Sequence, residues 1–178
     1  MTIDRIDMEE ITTRYAELRD ERADLLTAIE EAEAAQDEAE AARDAMPAET
    51  DPDELVSDAF QDAACAVEDA EAGHASALAA LSEWDSDNGE ELKELGELIE
   101  ELRGAGGGDH QWEGDWFPSE LIAEDDFEEY AEELADSIGA IVSNAGWPNN
   151  CIDWKQAARE LAQDYSEVEY QGRYYYWR

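Results

Sequence analysis

Few side chains in this sequence could act as a nucleophile or a general base. His74 lies in an alanine-rich stretch and His110 follows a glycine-rich one, and neither has a Cys, a Ser or a second His at a catalytic spacing. Cys151 precedes a predicted helix N-terminus, where a thiolate would be stabilised, but no His lies near it in the sequence. We therefore predict that the protein is not an enzyme and that Cys65 and Cys151 are free, buried thiols.

Two segments have the composition of ion-binding loops but lack the residues that define such loops. The run DSDNGEE (85–91) has its glycine at the fifth loop position, whereas an EF-hand has it at the sixth, and the twelfth position is Gly96 rather than Glu. The run GAGGGDH (104–110) lacks the lysine of a phosphate-binding loop. The sequence predicts no metal site and no cofactor.

The charge of the chain is its most unusual property. Its 178 residues include 50 acids and 11 bases, for a formal net charge of −39. Residues 44–91 hold fifteen acidic residues and residues 104–154 hold thirteen, and neither stretch contains a Lys or an Arg. Like charges repel one another in a compact state, so this negative field is either used in binding or screened by the solvent.

Helical spacing arranges many of these carboxylates in two strips. Side chains four residues apart on a helix stand about 6 Å apart, a spacing of the same order as that of neighbouring phosphates. The N-terminal strip comprises Glu30, Glu31, Glu33, Asp37, Glu38, Glu40 and Asp44, continued by Asp51, Asp53, Glu54, Asp58 and Asp62. The C-terminal strip comprises Glu124, Asp125, Asp126, Glu128, Glu129, Glu132, Glu133 and Asp136. We predict that both strips bind a basic partner.

The elements that carry the N-terminal strip are predicted to be long helices. Residues 3–45 predict one helix, because a seam of residues recurs alternately three and four apart. The seam residues are Met8, Ile11, Tyr15, Leu18, Arg22, Leu25, Ile29, Ala32, Gln36, Ala39, Arg43 and Met46. Such a seam needs a partner helix in the same chain or in a second copy, and the latter predicts a homodimer. Arg22 is a polar residue in this seam and is predicted to help set the register.

The following segment predicts two further helices. A loop at 46–52 is followed by a helix over 53–84, a turn at 85–89 (DSDNG) and a helix over 90–103. The apolar positions of the first of these are Leu55, Ala59, Ala63, Ala66, Val67, Ala70, Ala77, Leu78 and Leu81. The second has Leu92, Leu95, Ile99 and Leu102 on one face. The alternatives for this half are a helical hairpin and a three-helix coiled coil.

The C-terminal part predicts a small mixed module. The sequence suggests an acidic coiled-coil domain at 1–103, a glycine-rich linker at 104–111 and an aromatic-rich α+β module at 112–178. Helices are predicted over 120–138 and 153–164, with Asp153 as an N-cap. The buried face of the first is predicted to be Phe127, Tyr130, Leu134 and Ile138. Two strands around Gln171–Gly172 complete a mainly α fold with a terminal β-hairpin.

The C-terminal segment also resembles a known group of proteins. The runs EDDFEEYAEELADSIGAI and WPNNCIDWKQAARELAQDYSEVEYQGRYYYWR, within residues 121–178, are similar to the closing module of small acidic proteins encoded by phages and other mobile elements. The resemblance implies a phage or plasmid setting in a bacterial cytoplasm and assigns no catalytic residues. The overall acidity is similar, in composition only, to that of antirestriction and anti-CRISPR DNA mimics.

These observations favour a DNA-mimic inhibitor that blocks the DNA-binding surface of a host defence complex, either a CRISPR effector or a restriction enzyme. Direct nucleic-acid binding is disfavoured, because it needs a basic groove and only four basic residues lie near the aromatic tail. No run of apolar residues is long enough to span a membrane. The alternatives are an acidic coiled-coil adaptor or structural protein and a halophile-adapted protein of other function.

Overall fold

The computed structural model describes residues 3–46, 58–105, 107, 109–141, 146–147 and 149–178. The elements are β1 (Arg5–Asp7), α1 (Met8–Asp44), α2 (Asp58–Leu102), β2 (His110–Trp112), β3 (Asp115–Phe117), β4 (Glu120–Ala123), α3 (Phe127–Ser137), α4 (Trp154–Leu161), β5 (Ser166–Tyr170) and β6 (Arg173–Trp177). The fold is therefore mainly α with a small antiparallel sheet and a terminal β-hairpin, as the sequence predicted.

The chain packs as two units. The hairpin unit is Ala16–Leu92, and the sheet unit combines Met1–Tyr15 with Lys93–Arg178. Each unit contains part of both long helices, so the two units describe how the chain packs and do not coincide with the predicted domains. The domain boundary at residues 104–111 stays a prediction.

The hairpin unit is an antiparallel pair of helices. Arg22 of α1 is hydrogen-bonded to Asp85 of α2, and Gln36 is hydrogen-bonded to His74. Later residues of α1 thus contact earlier residues of α2, as in an antiparallel pair. Between Arg19 and Met46 every predicted seam residue is at least partly buried, and all other residues except Glu40 are exposed. The heptad seam is confirmed, and α2 of the same chain covers it.

The second helix corrects the predicted turn. Residues 85–89 are helical, and α2 runs unbroken to Leu102. A run of its buried or half-buried residues keeps one heptad register through this segment, which is why packing against α1 prevails over the turn preference of DSDNG. These residues are Ala63, Val67, Ala70, His74, Ala77, Leu81, Trp84, Asn88, Glu91, Leu95, Leu98 and Leu102. The hairpin is therefore the right alternative and the three-helix coiled coil is wrong.

Other details of the predicted second and third helices had mixed outcomes. Ala59, Ala66 and Leu78 were predicted to be apolar packing positions, but they are exposed because they lie off the heptad register. The face containing Leu95, Ile99 and Leu102 is buried as predicted. The predicted loop and the predicted helix start at 53 lie outside the described residues.

The sheet unit contains a four-stranded antiparallel sheet in the order β1-β4-β6-β5. Residues 5–7 and 120–123 were predicted to be helical, but they pair as strands, with Ile6 opposite Leu121. Leu121 and Ile122 point to opposite faces and both are buried, which is typical of a central strand. The helix predicted over 120–138 is therefore shorter, and Ile138 is 70% exposed just beyond its end.

Aromatic rings fill one core of this unit. Ile122, Phe127 and Ala158 are buried there, and Tyr165 and Tyr176 pack against them. The Phe127 ring centroid lies 4.5 Å from that of Tyr176 and 5.1 Å from that of Tyr165. The terminal aromatic residues thus join the sheet to α3 and α4, and α3 carries most of the C-terminal strip.

The predicted ends of the C-terminal elements are largely confirmed. Asp153 caps α4, because its side chain accepts a hydrogen bond from the Gln156 N–H at 3.0 Å. Gly139 ends the α3 segment with a φ of +72°. Gln171 and Gly172, both at positive φ, form the tight turn between β5 and β6.

Candidate functional site

The hairpin unit carries most of the excess charge. It has 25 acidic residues against three arginines, which gives a net charge of −22. All three arginines already pair with carboxylates of the same unit. Arg19 lies 3.3 Å from Asp20, Arg22 lies 2.8 Å from Asp85, and Arg43 lies 2.9 Å from Asp44. Three arginines cannot neutralise 25 carboxylates, so most of the negative charge of this unit remains.

Packing explains why these carboxylates face solvent. The seam takes one residue in every three or four, and apolar or small side chains fill most of its positions. The charged residues are left for the outer faces. Among the acidic side chains that the structure describes in this unit, only Glu40, Asp85 and Glu91 are partly buried.

The N-terminal strip is largely exposed. Glu40 is half-buried and accepts a hydrogen bond from Gln36 Nε2 at 3.1 Å. Asp51, Asp53 and Glu54 lie outside the described residues, and so does the side chain of Asp58. The exposed members are Glu30, Glu31, Glu33, Asp37, Glu38, Asp44 and Asp62. The geometry thus presents a row of carboxylates along α1 with a further one on α2.

The charge density of the hairpin unit is of the same order as that of DNA. At about 1.5 Å per residue, the 35 residues of α2 up to Leu92 extend about 50 Å. The residues of this unit that the structure describes, 16–46 and 58–92, hold 21 acids and three arginines, and their net charge of −18 over that length is one charge per roughly 2.9 Å. B-DNA carries one charge per about 1.7 Å of axis. A basic groove built to bind DNA would therefore experience a similar field from this hairpin.

The C-terminal strip is divided between structural and exposed carboxylates. Asp126 accepts a hydrogen bond from the Asp4 N–H at 2.7 Å, and Glu133 accepts one from Arg5 at 2.6 Å. Both carboxylates thus hold the β1 segment in place. Asp126 and Glu129 are half-buried. The exposed members of the strip are Glu124, Asp125, Glu128, Glu132, Glu133 and Asp136.

Arg22 and Tyr176 keep their protons more tightly than usual. The hydrogen bond to Asp85 and the charge of that carboxylate raise the pKa of Arg22. Burial, followed by the charges of Glu124 and Glu167, raises the pKa of Tyr176. Arg22 therefore remains a cation and Tyr176 a neutral phenol, so neither side chain is suited to proton transfer near neutral pH.

Both histidines are bonded to neutral side chains. His74 Nδ1 lies 3.0 Å from Gln36 Oε1, within the seam. His110 Nε2 lies 3.0 Å from the hydroxyl of Thr12, which is 1% exposed and donates to the Met8 carbonyl. The seam position of His74 was missed in the sequence, although its heptad spacing from Ala70 and Ala77 would have revealed it.

The cysteines correct a prediction. Cys65 and Cys151 are free, as predicted, but both are exposed rather than buried. Cys65 lies between the seam positions Ala63 and Val67, and Cys151 ends a surface 3₁₀ turn before α4. Both thiols are exposed because neither cysteine occupies a seam or core position.

Metal binding and membrane insertion each require a particular arrangement of residues. Across the described ranges, no group of three or more His, Cys, Asp or Glu has a metal-binding arrangement. Of the helices in the part of the chain that the structure covers, none is long and apolar enough to cross a bilayer.

The chain was compared with protein families, curated proteins and solved structures. No family model matches the chain, and neither a curated protein nor a solved structure is significantly similar to it.

Proposed function

We propose that the protein is a DNA-mimic inhibitor, encoded by a phage or mobile element, which occupies the DNA-binding surface of a host defence complex. The observation that carries this proposal is the net charge of the hairpin unit, −22, with every arginine internally paired and most of the described carboxylates exposed. The phage setting rests on the sequence resemblance of residues 121–178.

The mechanism is occlusion without turnover. A basic groove that binds duplex DNA attracts a negative rod at long range, which speeds the encounter and makes binding sensitive to salt. Exposed carboxylates on the helix faces then replace phosphates as partners of the groove's Lys and Arg side chains. Displacement by duplex DNA follows, because both ligands need the same cations.

The test is capture of a partner by the tagged full-length chain from bacterial lysate, with elution by salt and by duplex DNA. A hairpin variant replaces four exposed carboxylates of the N-terminal strip, Glu30→Gln, Glu33→Gln, Asp37→Asn and Glu38→Gln. The matched variant changes the same number in the C-terminal strip, Glu124→Gln, Asp125→Asn, Glu128→Gln and Glu132→Gln. We expect one nuclease or CRISPR subunit to be captured, released by DNA and lost in the hairpin variant.

Two outcomes would contradict this function. A broad spread of ribosomal and nucleoid proteins eluting at low salt would mean that the acidity only solvates the chain. Equal capture by the wild type and the hairpin variant would exclude the hairpin unit as the mimic.

The two alternatives make different predictions. A halophile-adapted protein requires molar salt to fold, whereas a mimic folds at ordinary ionic strength. An adaptor binds through apolar contacts and keeps its partner at high salt. Because α2 covers the α1 seam within the chain, an adaptor or a homodimer would have to use other apolar residues, such as the exposed Leu26, Phe60 and Leu78.

A further inference from the structure

Two basic residues of α4 differ from most of the basic residues in the chain. At least seven of the eleven Lys and Arg residues form ion pairs with carboxylates of this chain. Among the described residues, Lys155 and Arg159 have no such partner and neither does Arg178. An unpaired cation is unexpected in a chain with 50 carboxylates. Lys155 and Arg159 stand four residues apart on α4 and are exposed.

Both cations line a groove of about 500 Å³. Glu124, Asp125 and Glu128 line the same groove, and neither Lys155 nor Arg159 is within ion-pairing distance of them. Asp125 instead makes a long ion pair with Arg173 at 3.9 Å. Its remaining lining comes from Phe127, Ala158, Ala162 and Tyr176. The groove thus combines carboxylates, separate cations and an apolar floor that includes aromatic rings.

Carboxylates and cations that share a groove without pairing each retain hydrogen-bonding capacity for a ligand. An inorganic anion fits poorly, because three carboxylates outnumber the two cations. A simple cation leaves Lys155 and Arg159 without a partner. The complementary ligand has at least one positive group and one negative group. Its apolar stem would rest on Tyr176, whose ring can also stack against a guanidinium.

We propose that this groove binds a short dipolar ligand, with a guanidinium or ammonium group held by Glu124, Asp125 and Glu128 and a carboxylate held by Lys155 and Arg159. Free arginine is one source of this chemistry. An arginine beside an acidic residue in a partner protein is the other, and that source rests on the proposed inhibitory function.

The experiment is NMR titration of the ¹⁵N-labelled full-length protein, following the amide signals of Phe127 and Ala158. The probes are L-arginine, agmatine, which lacks the carboxylate, and the blocked tripeptide N-acetyl-Arg-Ala-Glu-amide. We expect L-arginine or the tripeptide to saturate with a Kd below about 1 mM, which corresponds to roughly −4 kcal/mol. Agmatine should bind at least about tenfold more weakly, because it loses a charge-assisted hydrogen bond.

The two arms distinguish the sources. Binding of L-arginine alone assigns a free amino acid, and binding of the tripeptide alone assigns a protein segment. Binding of both supports the shared chemistry. If neither probe saturates at about 10 mM, or if agmatine binds as well as L-arginine, the proposal is overturned. Such a failure leaves the hairpin unit and its capture assay untouched.

Matched variants keep the result specific. Glu128→Gln and Arg159→Gln should each weaken binding about tenfold or more, since each removes one charged partner. Arg178→Gln is the control, because it removes an equally unpaired base that does not line this groove. An equal effect of Arg159→Gln and Arg178→Gln, which change the net charge in the same way, would mean that the ligand senses only net charge, and this would overturn the proposed groove. Circular dichroism spectra that match the wild type would show that the variants fold.

Discussion

His74 Nδ1 lies 3.0 Å from Gln36 Oε1, so a histidine of α2 and a glutamine of α1 meet side chain to side chain in the seam. Both residues are half-buried, and the neighbouring seam positions Ala32, Ala39, Ala70 and Ala77 are small and apolar. The amide oxygen accepts a hydrogen bond, so the imidazole carries a proton on Nδ1. This polar pair marks a single register of the two helices.

Replacing this pair by Gln36→Leu with His74→Leu should stabilise the hairpin and loosen its specificity. Apolar burial outweighs the net value of one neutral hydrogen bond, so we expect a gain on the order of 1 kcal/mol. A polar seam pair disfavours other pairings, and its removal permits chain exchange. Thermal unfolding and sedimentation velocity measure the two effects. Lower stability with an unchanged monomer would contradict the prediction.

The Arg22–Asp85 pair should contribute modestly and in a salt-dependent way. Both side chains are about 40% exposed, so screening limits the pair. A double-mutant cycle with Arg22→Gln and Asp85→Asn should give a coupling free energy of about 0.2–1 kcal/mol. Measured again in 1 M NaCl, the coupling should shrink. A coupling that is zero at low salt would show that the seam sets the register without this ion pair.

Three glycines of α2 should respond differently to alanine. A Cβ on Gly73 meets nothing within 4 Å, and one on Gly89 meets only Asp85 Cβ at 3.9 Å. Gly73→Ala and Gly89→Ala should each raise the free energy of unfolding by about 0.5–1 kcal/mol, because glycine is a poor helix former. On Gly96 the Cβ would lie 3.2 Å from Tyr15 Cε2, so Gly96→Ala should gain less or destabilise.

Chemical denaturation of the three variants checks this comparison. If Gly89→Ala destabilised the protein, residues 85–89 would form a turn in solution rather than a continuous helix. An equal gain at Gly96 would show that Tyr15 moves away at little cost.

Alkaline pH should destabilise the sheet unit through Tyr130. Burial, followed by the hydrogen bond with Tyr165, raises the pKa of Tyr130 above its ordinary value of 10.0. The unfolded chain loses this proton first, so the free energy of unfolding is unaffected below pH 10 and falls as the pH rises beyond it. Denaturation curves between pH 9 and about pH 12 should show this decline.

Tyr130→Phe is the control for that decline. It removes the hydroxyl that lies 2.9 Å from the Tyr165 hydroxyl. We expect a loss of about 1 kcal/mol at neutral pH and a shallower fall above pH 10. If the wild type and Tyr130→Phe lost stability in parallel, other tyrosines would be responsible.

The negative field of the hairpin unit should itself lower stability at low ionic strength. Raising NaCl from about 10 mM to 150 mM shortens the Debye length from roughly 30 Å to 8 Å, so Tm should rise. The hairpin variant with four neutralised carboxylates should have a higher Tm than the wild type at 10 mM and a smaller salt response. Thermal scans that require molar salt for any folded baseline would instead favour the halophile alternative.

The sequence by itself determined the long helices, their heptad seam, the terminal β-hairpin and the acidity of the outer faces. Periodicity is a local property of the sequence and net charge is a sum over its residues, so both can be read from the sequence without a structure. The seam from Arg22 to Met46 is the clearest instance, since its burial follows the spacing residue by residue. The exposure of the N-terminal strip follows from the same pattern.

Only the tertiary structure decided which helices and strands pair with one another. It also decided where packing overrides the local secondary-structure preference of a segment. Residues 85–89 have the composition of a turn, yet they are helical because α1 supplies partners along α2, including Arg22 for Asp85. Residues 5–7 and 120–123 pair across more than a hundred positions of sequence, and no local pattern encodes that distance. The groove of Lys155 and Arg159 likewise exists because packing of aromatic rings brings α4 beside α3.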